Sequence, residues 1–202
     1  FQEETKHICK NTNRPFMALD LDEAIIHSEI LSNYNSKLPP FDFEIKELGL
    51  GVWIRPNLVS FLKFCQANFD LYLFSAGNKE YTDSVLKVLG IDIYFLCKLD
   101  RRFCIRVGDI YVKDLSIFSE YIDGLIIDNN LLSFCMNLNQ GFLISPFYSN
   151  TFDEELKDAE DFLAELIEES KSEGVLIKEL NEDHFMLQKL FCKFVMCEQE
   201  IS

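Results

Sequence analysis

Apolar and polar positions along this chain switch between two periods. Pro15 to Asp20 is an apolar run that ends on an acidic residue, and Leu71-Tyr72-Leu73-Phe74 and Gly124-Leu125-Ile126-Ile127-Asp128 are runs of similar length. Such short runs, bounded by turn residues, predict buried parallel strands. Between them the apolar spacing becomes helical. Leu58, Phe61, Leu62 and Cys65 follow Arg55-Pro56-Asn57, which is expected to open a helix, and Lys79 to Leu89 lies between an Asn78 cap and Gly90. Phe41 to Ile45 alternates and predicts a half-exposed strand that turns at Gly49-Leu50-Gly51 into Val52-Trp53-Ile54. Residues 29–40, with Ser32, Asn33, Asn35, Ser36, Pro39 and Pro40, read as a loop. Gly108-Asp109 predicts a hairpin between Cys104-Ile105-Arg106 and Tyr111-Val112-Lys113, and Gly141 to Ile144 is a further strand. From Asp153 to Glu169 an apolar stripe of Leu156, Ala159, Phe162, Leu163, Leu166 and Ile167 runs under heavy negative charge until Gly174 breaks it. Asn181 to Glu198 predicts a last amphipathic helix with Leu187, Leu190, Phe191, Phe194 and Val195 on one face.

Strands that alternate with helices imply βαβ units, so the fold expected is α/β with a central, mostly parallel sheet covered on both faces. A polar arm is expected over residues 1–14, one domain over residues 15–169 and a helical extension over residues 170–202. That extension either packs on the body or binds a protein partner.

Composition narrows the function. With 202 residues, 48% hydrophobic and 19 phenylalanines, the chain can bury a substantial core. Its 34 acidic and 19 basic residues give a net charge of −15, which disfavours nucleic acid and anionic membranes as partners. Seven cysteines without a C-x-x-C pair argue for free thiols in a reducing compartment, nuclear or cytoplasmic, and against zinc. No apolar run approaches membrane-spanning length. Residue 1 is not methionine, which leaves room for a removed targeting segment.

The candidate chemistry starts at Asp20-Leu21-Asp22. At the carboxyl end of a buried strand two carboxylates one residue apart can face one crevice, the first to attack an electrophile or hold a cation, the second to protonate a leaving group. Alone, the pair reads better as a solvated strand end, as Ser75 does as a turn residue and Lys113 as a surface lysine. If the strands of residues 15–20, 70–74 and 124–128 lie side by side, Asp20, Ser75 and Asp128-Asn129 surround one crevice. Phosphoryl transfer needs such a set, because negative charge on the equatorial oxygens must be met by a metal, a cation and hydroxyl or amide donors. Mg²⁺ suits the oxygen donors, and Lys113 supplies the cation.

Several motifs together carry a resemblance. Asp20-Leu21-Asp22-Glu23, Ile54-Arg55-Pro56, Leu73-Phe74-Ser75-Ala76-Gly77, Lys79-Glu80-Tyr81, Tyr111-Val112-Lys113-Asp114-Leu115-Ser116, Asp128-Asn129 and Pro146-Phe147-Tyr148 are similar, in order and spacing, to the motifs of the small C-terminal-domain phosphatases. These form the FCP-homology, or NLI-interacting-factor-like, branch of the haloacid dehalogenase superfamily. The resemblance implies a haloacid dehalogenase-like Rossmannoid fold with a small β-hairpin insertion at residues 104–113. It also implies an Mg²⁺-dependent protein phosphatase acting on phosphoserine or phosphothreonine segments. On that pattern Asp20 is the nucleophile, Asp22 the acid and then the base, and Lys113 the neutralising cation. Ser75 with Ala76 binds phosphate, and Arg101 lies by the substrate groove, which residues 29–45 help to form. Asp20, the Asp22 carbonyl and Asn129 hold the metal, with Asp128 behind Asn129.

The chain departs from the family pattern in two places. Ala24 stands where a threonine is usual, expected to leave a small packing gap, and Asn130-Leu131 replaces Ser-Pro, expected to loosen the turn carrying Asn129. With the helical tail, they suggest the alternative of a weakly active or inactive phosphatase fold serving as a scaffold or subunit of a larger assembly. A small-molecule phosphatase is a third reading, but no sizeable cap insertion follows the first motif.

Overall fold

In the computed structural model, residues 14–34 and 38–185 are described. The expected arm, apart from Arg14, and the apolar face of Leu187, Leu190, Phe191, Phe194 and Val195 lie outside them. The centre is a five-stranded parallel sheet made of β1 (Phe16–Leu19), β5 (Asp70–Phe74), β6 (Cys97–Leu99), β9 (Gly124–Asp128) and β10 (Gly141–Leu143). Its order is β10-β9-β1-β5-β6. β1 therefore lies between the other two long strands, with Leu19 opposite Leu73 on one side and Ile127 on the other. Every residue of β1, β5 and β9 is buried, which is why these segments read as unbroken apolar runs.

Alternate side chains enter two cores. Met17, Leu19, Leu71, Leu73, Leu125 and Ile127 meet four α-helices, α1 (Leu58–Asn68), α2 (Lys79–Leu89), α3 (Glu155–Glu173) and α4 (Ile177–Phe185). Phe16, Ala18, Tyr72, Phe74 and Ile126 face the other way and are covered by short 3-10 helices at Leu115–Phe118 and Leu131–Phe134, with Phe16 stacked 4.3 Å from Phe118. α4 is anchored on both sides. Ile177 and Leu180 are in the first core, and the Asp123 carboxylate accepts from the backbone N–H groups of Ile177 (2.8 Å) and Lys178 (3.0 Å).

The remaining strands form a side sheet and a hairpin. β2 (Ile26–Ile30), β4 (Leu50–Ile54) and β3 (Phe43–Ile45) pair antiparallel, and β7 (Ile105–Val107) pairs with β8 (Ile110–Val112) around Gly108, as the turn signal predicted. Several expected boundaries move. β2 extends into the segment read as loop, because its polar His27, Ser28 and Glu29 carry no strand pattern and are ordered by pairing with β4. β6 is likewise hidden, three residues long within a charged stretch. Arg55 and Pro56 do not begin α1. Asn57 adopts φ 66 and the helix starts at Leu58, which frees Arg55 to turn into the core. α3 begins two residues later and runs four residues further than Asp153–Glu169, and α4 starts at Ile177 rather than Asn181.

The four described cysteines are free thiols. No helix among the described residues is long and apolar enough to cross a membrane. Gly141 shows how closely the second core packs, because a Cβ there would lie 2.1 Å from Cε2 of Phe134. Gly141→Ala is expected to destabilise the fold by about 1–3 kcal/mol through overpacking, read as a lower urea midpoint.

Candidate active site

The three central strands stop together, and each continues into a functional segment. Asp20 N–H donates to the Ile127 carbonyl (3.0 Å) and Ser75 N–H to that of Leu99 (2.8 Å), so both residues prolong the sheet by one position before the chain leaves it. Asp128 closes β9 and Asn129 follows. Lys113 arrives from the end of the hairpin, its N–H donating to the Ser133 carbonyl at 2.6 Å.

Lys113 is the centre of this arrangement. Its side chain is 1% exposed, and Nζ lies 2.6 Å from Asp20 Oδ1 and 2.6 Å from Asp128 Oδ2. Burial works against the ammonium, but Asp128 and Asp20 outweigh it and hold its pKa above the ordinary lysine value. Burial, with Asp128 next, pushes the Asp20 carboxyl upward against the pull of Lys113. The imbalance is plain: Asp20 and Asp128 share one ammonium.

The loop from Leu21 to Ile25 is held through its carbonyl groups. That of Leu21 accepts from Ile25 and Ile26, that of Glu23 from Phe147 (2.8 Å), and that of Ile25 from Arg55 N–H (3.0 Å). The Ala24 carbonyl accepts from Arg55 Nη1 at 2.8 Å. The Asp22 carbonyl instead lies 3.2 Å from one end of the Asn129 amide, which is also 3.2 Å from Asp20 Oδ2. With nitrogen at that end the amide bridges the two oxygens. With oxygen there, three oxygen donors converge with no proton between them, an arrangement that a cation would satisfy. The donor set is that of a hard divalent ion and fits Mg²⁺.

Arg55, wholly buried, organises this loop. Nε and Nη2 donate to Asp153 at 2.7 and 3.0 Å, and the guanidinium lies 5.6 Å from the Phe147 ring centroid. Asp153 precedes α3, so one ion pair joins the acid loop, β4 and the last third of the chain. The hydrophobic pattern reads Arg55 as a helix opener and Asp153 as part of an acidic face. The Ile54-Arg55-Pro56 motif was the available signal.

Both departures have a structural account. Ala24 is fully buried, and its part in the loop is the carbonyl offered to Arg55, which does not depend on its side chain. Asn130 does not leave its turn loose. Its N–H donates to Asp128 Oδ1 (2.8 Å) and its side-chain oxygen accepts from Leu132 N–H (3.1 Å), capping the short helix Leu131–Phe134.

Ser75 is buried, with Oγ accepting from Gly77 N–H at 2.9 Å. Arg101 reaches back to the same loop, its Nε donating to the Ala76 carbonyl (2.6 Å) and its guanidinium lying 4.8 Å from the Tyr111 ring centroid. Arg102 pairs instead with Asp100. Asp22, Ser28, Ala76, Gly77, Tyr81 and Arg101 line part of an open cleft of about 340 Å³ at this end of the sheet. A cavity of about 380 Å³ lies at the opposite end, around Pro15, Asn68 and Asp123, away from the acid pair. Burial raises Asp22 to about 6, opposed by a hydrogen bond from Tyr81. Tyr81, absent from the sequence-derived set of site residues, donates its phenolic proton to Asp22 Oδ1.

A parallel α/β sheet with an acid pair, a buried lysine and an Asp-Asn at its carboxyl edge defines a haloacid dehalogenase-type phosphatase fold. Residues 15–173 match the model of the NLI interacting factor-like phosphatases, and the chain belongs to that family. It is 29% identical over 157 residues to CTD small phosphatase-like protein 3 of Caenorhabditis elegans, covering 76% of this chain and 55% of the relative. It is 27% identical over 160 residues to the human carboxy-terminal domain RNA polymerase II polypeptide A small phosphatase 1, covering 78% and 61%. The chain thus spans only a little over half the length of these relatives. Its fold is similar to that of a fission yeast RNA polymerase II CTD phosphatase, Fcp1, bound to beryllium fluoride, with a TM-score of 0.51 at 18% identity, covering 100% of this chain and 68% of that one.

The Arg55–Asp153 pair supplies a test of the loop's support. Asp153→Ala leaves a buried guanidinium without its carboxylate and is expected to lower stability by about 3 kcal/mol, measured by urea denaturation.

Proposed function

We propose that this chain is an Mg²⁺-dependent protein serine/threonine phosphatase that works through an aspartyl-phosphate on Asp20. The observation that carries the reading is Lys113 Nζ at 2.6 Å from both Asp20 and Asp128, inside a site whose remaining oxygens suit a divalent cation. An incoming phosphate dianion meets the carboxylates of Asp20 and Asp128 there, and one ammonium does not offset them together with the phosphate charge. Asp20, the Asp22 carbonyl and Asn129 would hold Mg²⁺, which would supply the missing positive charge and Lewis acidity toward a phosphate oxygen.

The chain's own groups account for both half-reactions. Asp20 Oδ1 bonds to phosphorus as the bond to the seryl or threonyl oxygen breaks, and Asp22 gives its proton to that oxygen. Lys113, the Ser75 hydroxyl and the backbone after Ser75 meet the charge on the equatorial oxygens. Asp22 then takes a proton from water as the water oxygen bonds to phosphorus and the bond to Asp20 breaks, releasing inorganic phosphate.

The open cleft, lined in part by Arg101, suits a phosphorylated protein segment. Free thiols accord with a reducing compartment. Of the three motives for the scaffold alternative, Ala24 and Asn130 weigh less, because the Ala24 carbonyl accepts from Arg55 and Asn130 caps its turn, and the helical tail remains. Wild-type protein is expected to release phosphate from a nitrophenyl phosphate and from phosphoserine peptides, with activity abolished by a chelator and restored by Mg²⁺. Asp20→Asn is expected to lower kcat by at least about 10³-fold, the scale of losing a nucleophile that acts with its partners. Absence of turnover on every phosphopeptide at saturating Mg²⁺ excludes the enzyme reading and leaves the scaffold.

A further inference from the structure

A phenol next to the acid pair has no part in the two half-reactions above. Tyr81 stands in the first turn of α2, directly behind the Ser75–Asn78 loop, and its backbone N–H is capped by Asn78 Oδ1 at 2.9 Å. Its hydroxyl lies between Asp22 Oδ1 and Ser28 Oγ, the latter at 2.8 Å. Close approach to the loop requires glycine at position 77, where a Cβ would lie 2.8 Å from Tyr81 Cδ1.

Proton counting fixes the direction of this chain. A phenol has one proton, and an ionised carboxylate only accepts. The Tyr81 proton therefore goes to Asp22 Oδ1, and Ser28 must donate its own to the phenolic oxygen. Oδ1 is thereby occupied, and the proton that Asp22 exchanges with substrate and water resides on Oδ2. The acid is tied at once to β2, through Ser28, and to the helix behind the phosphate-binding loop.

We infer that Tyr81 is the positioning residue of the general acid: it pins Asp22 Oδ1, leaves Oδ2 to carry the proton, and takes its own orientation from Ser28. The inference rests on the phosphatase reading. During phosphoryl transfer the Oδ2 proton passes to the leaving oxygen as the P–O bond breaks and the bond to Asp20 forms. A group that positions this acid matters most when the leaving oxygen is basic and needs the proton, and least when it departs readily as an anion.

The test is kcat/KM, which reports the steps up to phosphoryl transfer, for a series running from nitrophenyl phosphate through phenyl phosphate to a phosphoserine peptide. Tyr81→Phe keeps the ring and removes only the hydroxyl. Its loss is expected to grow along the series, from a few-fold on nitrophenyl phosphate to about 10²-fold on the peptide. Ser28→Ala, which leaves Tyr81 in place, is expected to show the same trend with a smaller slope, and serves if Tyr81→Phe does not fold. An equal loss on every substrate, or no loss on the peptide, assigns Tyr81 a purely structural role and overturns the inference while the phosphatase reading stands. A wild type inactive on the whole series overturns the phosphatase reading, and the assignment of Tyr81 falls with it.

Discussion

A lysine ammonium 2.6 Å from each of two carboxylates, with its side chain 1% exposed, would be costly anywhere else in a fold of this size. Burial penalises each charge separately, and only their mutual attraction makes the cluster tenable. Lys113 thereby joins three parts of the chain: the hairpin that delivers it, the end of β1 and the end of β9. The same ion cluster that closes the carboxyl edge of the sheet leaves it short of positive charge, with two carboxylates on one ammonium. The proposed chemistry starts from that shortage, which a divalent cation would make good.

Around this cluster the chain supplies partners for the carbonyl groups of a strained loop. Glu23 takes φ 55, an uncommon conformation for a residue with a side chain, and it is sustained by bonds at Leu21, Glu23, Ala24 and Ile25. Arg55 supplies two of these and is itself held by Asp153. The Asp22 carbonyl is treated differently, facing Asn129 rather than a backbone donor. The loop is thus tied at the carbonyls flanking the acid pair and leaves that of Asp22 without a backbone donor.

Much of this was legible in the sequence, for physical reasons. Apolar runs as short and as bounded as those at residues 16–19, 71–74 and 124–128 fit only strands buried on both faces. Convergence of Asp20, Ser75 and Asp128 was an expectation conditional on those strands lying side by side, a condition that the sheet order meets. The hairpin at Gly108, the Asn78 cap and the Gly90 and Gly174 stops followed from local backbone preferences. β2 and β6 were hidden because tertiary pairing, rather than their own pattern, makes them strands. Arg55 and Tyr81 were hidden as functional groups because their importance lies in partners 98 and 59 residues away. Spacing along the chain carries no trace of a contact made across it.

The most direct measurement is to quench the protein with acid during turnover of a phosphorylated substrate and map the phosphoryl group by peptide mass spectrometry. The covalent intermediate is expected as one phosphoryl group on the carboxylate of Asp20, lost on treatment with hydroxylamine and absent from Asp20→Asn. A phosphoryl group on any other residue, or turnover that persists at the wild-type rate in Asp20→Asn, would contradict the role assigned to Asp20 beside Lys113.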